Sequence, residues 1–275
     1  MICAWKELLA ILPQHIRKEV DYLSRDSLQE LRLRCNAPPE LIINGKSIFL
    51  KENAHQDDLS FIINAASRYS PWTASTISQG YLTAPGGHRI GICGDAVNKD
   101  GNLYAIQRIS SLCIRIARDF PGIAPDMTGS NNSILILGAP GWGKTTLLRD
   151  LARILSEHEV VSVVDERGEL FPNGIPRGKR MDVLSGSTKA VGITMLLRTM
   201  RPQYIAVDEI TAEEDCQAIL DSANCGVHLL ATAHASSRED FYRRRIYQSL
   251  TANHVFQTLL ILHRDKSYTV ERISA

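Results

Sequence analysis

Apolar positions in the first 120 residues come mostly in short runs that alternate with polar ones, the period of half-buried strands. LQELRLR (28–34) shows this alternation, and ELIINGKSIFL (40–50) repeats it on either side of Asn44-Gly45. An Asn-Gly pair accepts the positive φ values that a two-residue hairpin turn requires, so a hairpin is predicted there. Between residues 57 and 69 the spacing turns helical, with Leu59, Ile62, Ile63 and Ala66 on one face and Asp57 as N-cap. Strand-like runs resume as YLTA, HRIGICG, LYAIQ and SLCIRIA, punctuated by Gly86-Gly87 and Asp100-Gly101. Helix plus antiparallel strands predicts a small α+β domain over residues 1–120.

The stretch PGIAPDMTGSNNS has no apolar period and is rich in Pro, Gly, Asn and Ser, which places a linker at residues 121–132. From residue 133 to 275 the rhythm becomes strand–helix–strand. ILILG (134–138) is a continuous apolar run, as in a strand covered on both faces. Residues 145–156 set Leu147, Leu148, Leu151, Ile154 and Leu155 on one helical face, with Arg149, Asp150 and Arg153 elsewhere. VVSVVD, YIAVD and HLLATA are further buried-strand candidates separated by helical patterns. The predicted fold class is α/β, a parallel sheet covered by helices behind the smaller α+β domain.

Composition narrows the partners. With 44% hydrophobic and 22% charged residues the chain is an ordinary globular one. A net charge of +1 and 6% aromatic residues offer neither a basic surface nor a base-stacking track, so no nucleic-acid partner is expected. The run Arg243-Arg244-Arg245 reads as a solvated face. Cys3, Cys35, Cys93, Cys113, Cys216 and Cys225 form no C-x-x-C pair and read as buried thiols in a reducing compartment. The stretch MICAWKELLAILPQHIRKEV is too short in its apolar part to span a bilayer and is interrupted by Lys6-Glu7, so it reads as an amphipathic helix. A cytoplasmic chain is expected.

The strongest chemical signal is Gly138-Ala139-Pro140-Gly141-Trp142-Gly143-Lys144-Thr145, a full phosphate-binding loop continuing into Thr146. Its glycines let the backbone curl so that N–H groups face phosphate oxygens, and the following helix adds its positive end. Lys144 suits the β and γ phosphates, and the Thr145 hydroxyl suits Mg²⁺. The loop follows a buried strand and opens an amphipathic helix, which is the arrangement such a loop needs. No Asn-Lys-x-Asp guanine-reading motif follows it, so ATP with Mg²⁺ is the expected ligand.

Three more strands end in chemistry. Asp208-Glu209 closes YIAV, with Asp208 as candidate Mg²⁺ holder and Glu209 as candidate general base. Asp165-Glu166 closes VVSVV; Glu166 is a candidate for activating water, or else a partner for Arg167. Thr232 and His234 at the end of HLLATAH are candidate sensors of the γ-phosphate. A cation is also expected to neutralise the transferring phosphoryl group. Arg89 and Arg115, with Arg118, Arg198 and Arg201, are the candidates.

Taken in order, LRLR, APGGHRIGICGDAV, ISSLCIRIAR, GAPGWGKTTLLRDLAR, VVDERGEL, MDVLSGSTKAVGITMLLRTMRPQYIAVDEI and LLATAHA resemble the stage III sporulation protein AA family. These proteins are similar to the motor ATPases of type II and type IV secretion and pilus systems. The resemblance implies a RecA-like ATPase domain behind a smaller N-terminal domain, working as a homo-oligomeric ring, a hexamer. It implies a role in endospore formation, on the mother-cell side of the apparatus joining mother cell and forespore. With no transmembrane segment legible in the chain, an inner-membrane platform protein is the expected partner. It also implies that Asp165-Glu166 is the Asp box, and Thr232–His234 the His box, of secretion motors. Thr211, where the family commonly has Gly, and Trp142, at a position usually small or polar, depart from the pattern. A motor or assembly ATPase is the first expectation and a nucleotide-gated scaffold with incidental hydrolysis the second.

Overall fold

The computed structural model describes residues 4–22, 27–67, 80–99, 102–172 and 175–273. The chain divides into two compact units, Met1–Asp119 with Pro172–Ile175, and Phe120–Phe171 with Pro176–Ala275.

In the first unit Pro13 ends the N-terminal amphipathic segment's first helix and caps the second, giving α1 (Trp5–Ala10) and α2 (Gln14–Asp21). The strands β1 (Leu28–Arg34), β2 (Glu40–Ile43), β3 (Lys46–Phe49), β4 (Tyr81–Thr83), β5 (Arg89–Lys99) and β6 (Asn102–Arg115) form an antiparallel sheet in the order β3-β2-β1-β6-β5-β4. Strand alternation sends Leu31 and Leu33 inward to a core shared with Trp5, Leu8, Leu59, Ile62, Ile90 and Ile114. The turn between β2 and β3 is the expected hairpin, with Asn44 at φ 49° and Gly45 at φ 76°.

Several details of this unit differ from the pattern-based expectation. LYAIQ and SLCIRIA run on as one strand, β6, because an irregularity absorbs their mismatch with β5. Arg108 sits there at φ 42°, and a Cβ on the facing Gly94 would lie 2.6 Å from the Gln107 carbonyl oxygen. The Asp100-Gly101 turn lies outside the described residues. The helix α3 (Gln56–Ser67) starts one residue before Asp57, and it is Asp58 that caps it by accepting the His55 N–H at 2.8 Å. The end of that predicted helix at residues 68 and 69 lies outside the described residues. Of the described cysteines only Cys216 is buried; Cys93 and Cys225 are exposed, and Cys35 and Cys113 lie between. Strand alternation explains Cys93, which follows the buried Ile92 and so falls on the outer face. Cys225 stands at a helix C-cap.

The second unit contains β7 (Ile134–Leu137), α4 (Lys144–Leu155), β8 (Val161–Asp165), β9 (Met181–Ser185), α5 (Lys189–Thr199), β10 (Tyr204–Val207), α6 (Glu213–Asn224), β11 (His228–Ala233), α7 (Arg238–Arg243), α8 (Gln248–Ala252), β12 (Thr258–Leu262) and β13 (Tyr268–Arg272). The sheet order is β13-β12-β7-β11-β10-β8-β9, parallel throughout except for β13 at the edge. Every residue of β7, β8 and β10 is buried, which is why these strands read as unbroken apolar runs. Strands β9, β12 and β13 go beyond the expected set. Residues 123 and 124, in the expected linker, are tied to this unit: their N–H groups donate to Asp150 Oδ2 at 2.7 and 2.8 Å. Asp150 and Arg149 are thereby buried although they lie off the apolar face of α4; Arg149 donates to the Glu169 and Leu170 carbonyls.

Candidate nucleotide site

The four strands that carry the predicted chemistry are neighbours, in the order β7-β11-β10-β8. Being parallel, they deliver their C-terminal residues to one edge, where open α/β sheets bind ligands. After β7 the chain curls: Gly141 takes φ 74° and Gly143 φ 104°, both left-handed positions that strain any side chain. Trp142 N–H donates to the Ala139 carbonyl at 3.3 Å, closing the curl, and Gly143 then caps α4. A Cβ on Gly138 would sit 3.1 Å from Leu262 Cβ, so β12 crowds the loop's first residue.

Lys144, 7% exposed, opens α4 and turns back over the loop. Its Nζ lies 3.2 Å from the Ala139 carbonyl and 3.0 Å from His234 Nδ1. Burial lowers the Lys144 pKa, and the Asp208 and Glu209 carboxylates partly counter that. His234 Nε2 in turn lies 2.7 Å from Glu209 Oε1. With Lys144 as ammonium donor, Nδ1 must accept and Nε2–H must donate, so a single neutral tautomer satisfies both bonds.

Asp208 is gripped from two sides. Thr145 Oγ1 donates to one carboxylate oxygen and Thr232 Oγ1 to the other, both at 2.6 Å. The fully buried Thr232 hydroxyl also accepts the Glu209 N–H at 2.7 Å. That bond holds Glu209 at φ 57°, a conformation costing a non-glycine residue about 1–3 kcal/mol. The turn carries the Glu209 side chain to His234 and, at 3.6 Å, to Arg167 Nη1.

The strand end of β8 separates its two acids. Both Asp165 oxygens accept backbone N–H groups, from Glu169, Leu170 and Phe171 at 2.8–3.1 Å, and so shape the following turn. Glu166 pairs not with Arg167 but with Lys189, whose Nζ lies 2.7 Å from its Oε2. Thr145, Glu166, Arg167, Lys189, Asp208 and Glu209 line one cleft of about 70 Å³. A liquid water takes roughly 30 Å³, so the cleft has room for an ion with one or two waters and must supply the remaining ligands itself. The Thr145 hydroxyl and the Asp208 carboxylate supply adjacent hard oxygens to it, a donor set that suits Mg²⁺.

The expected site residues Gly138 to Thr146, Glu166, Asp208, Glu209, Thr232 and His234 thus belong to one edge of one unit. Arg89 and Arg115 face each other across β5 and β6 in the first unit, Arg89 against the Tyr81 ring at 4.6 Å. Arg118 donates to the Leu28 carbonyl at 2.7 Å, and Arg198 and Arg201 are exposed. Sequence reasoning missed Lys189, Asp215 and the Arg167–Glu209 contact. The signal for Lys189 was its place at the first residue of a helix, where a cation meets the wrong end of the dipole.

Comparison with known proteins agrees with this architecture. The chain is 35% identical to the stage III sporulation protein AA of Bacillus subtilis (strain 168), over 94% of this chain and 91% of that protein. The ATPase DotB of Legionella pneumophila superposes with a TM-score of 0.61 at 18% identity, over 95% of this chain and 80% of its own. The pilus retraction motor PilT with bound ADP does so at 0.62 and 16% identity, over 93% and 80%. At such identities these two show the fold: a RecA-like P-loop domain with a parallel sheet, preceded by a smaller α+β domain. The model of the family described as sporulation stage III, protein AA, matches residues 4–273, and the chain belongs to that family.

Proposed function

We propose that this chain hydrolyses ATP with Mg²⁺, as the motor or assembly ATPase of a secretion-like complex between mother cell and forespore. One observation carries the reading: Lys144, Thr145, Asp208, Glu209, Thr232 and His234 form one connected hydrogen-bonded cluster around the curled glycine loop. A loop that merely turned the chain would not need it.

In this reading the N–H groups of residues 138–146 and the Lys144 ammonium hold the phosphates. Thr145 and Asp208 would hold Mg²⁺, which neutralises phosphate charge when bound. Glu209 leaves His234, orients a water in line with the γ-phosphate and takes its proton; the new P–O bond forms as the bond to ADP breaks. Glu166 shares in placing that water. Thr232 and His234 sense the γ-phosphate through Asp208 and Lys144. An arginine from a neighbouring subunit, Arg89 or Arg115, completes charge neutralisation.

The likeness to secretion and pilus motors supports a homo-oligomeric ring, a hexamer, in the mother-cell cytoplasm. No helix among the described residues is long and apolar enough to cross a membrane. The likeness to secretion motors supports an inner-membrane platform protein as partner. The scaffold alternative, in which ATP binding orders the ring and hydrolysis is incidental, draws on the engagement of Glu209 with both His234 and Arg167. Complementation of a spore-forming strain separates the two. Glu209→Gln abolishes spore formation if hydrolysis drives the complex, and preserved sporulation contradicts the motor reading.

A further inference from the structure

The cleft contains a buried cation outside the phosphate loop. Lys189, 7% exposed, is the first residue of α5, where the helix dipole opposes a positive charge and a long side chain loses its rotamer freedom. What holds it is a pair of carboxylates from two other elements. Its Nζ lies 2.7 Å from Glu166 Oε2, at the end of β8, and 3.5 Å from Asp215 Oδ2, in the first turn of α6. Asp215 is itself fixed, since the same oxygen accepts the Thr211 and Ala212 N–H groups at 3.1 and 3.2 Å. Residues 211 and 212 follow Asp208-Glu209 with only Ile210 between. Lys189 therefore ties the strand end bearing Glu166 to the segment that leaves the strand end bearing Asp208 and Glu209.

The tie matters because the cleft is crowded with acids. Asp165, Glu166, Asp208 and Glu209 all line it, and like charges at such range repel. Arg167 does not relieve Glu166, since it faces Glu209. We propose that Lys189 is a positioning residue for hydrolysis, fixing the Glu166 carboxylate at a set place relative to Glu209. The proposal rests on the ATPase reading above.

Steady-state phosphate release, with binding of a fluorescent ADP analogue, tests it on Lys189→Met, Lys189→Arg, Glu166→Gln and the Lys189→Met/Glu166→Gln double variant. Lys189→Met lowers kcat at least about tenfold, while KM for ATP and analogue affinity stay within about twofold. Lys189→Arg recovers much of the loss, and the double variant is no slower than the slower single one, because Lys189 acts through Glu166. Unchanged kcat in Lys189→Met, or losses that multiply in the double variant, overturns the proposal. If Lys189→Met does not fold, Lys189→Gln, which keeps a donor on a shorter stem, carries the same measurement. Turnover in the wild type with an unaffected Lys189→Met contradicts this inference alone; a wild type that binds the analogue and never turns over overturns the ATPase reading and this inference together.

Discussion

Lys144 and His234 are bonded to each other, Nζ to Nδ1 at 3.0 Å, while the other ring nitrogen holds Glu209 at 2.7 Å. The lysine proposed to hold phosphate and the acid proposed to activate water are thus joined by one imidazole. A phosphate approaching Lys144 must compete with that bond. Replacing His234 by Ala removes the competitor, and nucleotide diphosphate binds about threefold more tightly. Turnover falls, because the link through which Lys144 and Glu209 sense the γ-phosphate is lost. Isothermal titration with ADP beside a phosphate-release assay reads both; weaker ADP binding in the variant contradicts the bridge as a competitor.

Thr232 serves Asp208 as donor and the Glu209 N–H as acceptor, with no solvent to replace it. Thr232→Val keeps the shape and deletes the hydroxyl, so a carboxylate oxygen and an N–H lose a partner. The second unit is destabilised by about 1–3 kcal/mol, and Thr232→Ser recovers most of it. Calorimetric unfolding checks this. A Val variant as stable as the wild type shows that neither bond matters.

Gly192 lies where α5 meets β8. A Cβ there would stand 2.6 Å from Val164 Cγ1 and 3.1 Å from its Cγ2. Neither side of this contact is free to move, since Val164 is 1% exposed and precedes the strand-end acids. Gly192→Ala therefore costs about 1–3 kcal/mol, against the usual helix-stabilising effect of that change. Denaturant titration decides the sign, and a stabilised variant contradicts the packing.

In the first unit His88 is wholly buried. Its Nε2 lies 3.0 Å from the Ala4 carbonyl, and its Nδ1 accepts the Ala117 N–H at 3.1 Å. Both bonds belong to the neutral ring, and burial holds its pKa below the ordinary 6.5 despite the raising effects of the Ala4 bond and of Glu7. A pKa lowered on folding means the unfolded chain binds the proton more readily. The stability is then fully present above 6.5 and is lost as pH falls through the lower folded value. Thermal unfolding followed from neutral to mildly acid pH shows this loss in the wild type and a shallower one in His88→Gln. Equal slopes contradict the assignment.

What the chain's pattern revealed, and what it hid, has a physical basis. Strands β7, β8, β10 and β11 are legible because each is a buried run that ends at once in glycine, acid or histidine. Strand β9 is half-buried at four of its five positions and β13 is a largely exposed edge, so neither shows a period. The run TLLIL of β12 is fully buried but has no chemistry at its end to single it out. Within the site, Asp208, Glu209 and Glu166 announce themselves as acids at strand ends. Lys189 does not, since its meaning lies in Glu166, 23 residues away, and in a helix whose surface a lone lysine normally decorates. The buried Asp150 is hidden for the same reason: its partners, Ile123 and Ala124, belong to a stretch that reads as linker.

The most direct test of the central claim is phosphate release by the purified chain with ATP and Mg²⁺, compared with its Glu209→Gln variant. The wild type turns over. Glu209→Gln falls by at least about a hundredfold while binding ATP as tightly as before, as expected when a general base alone is removed. Equal phosphate release from the two proteins would contradict the account, because Glu209 would then have no part in activating water.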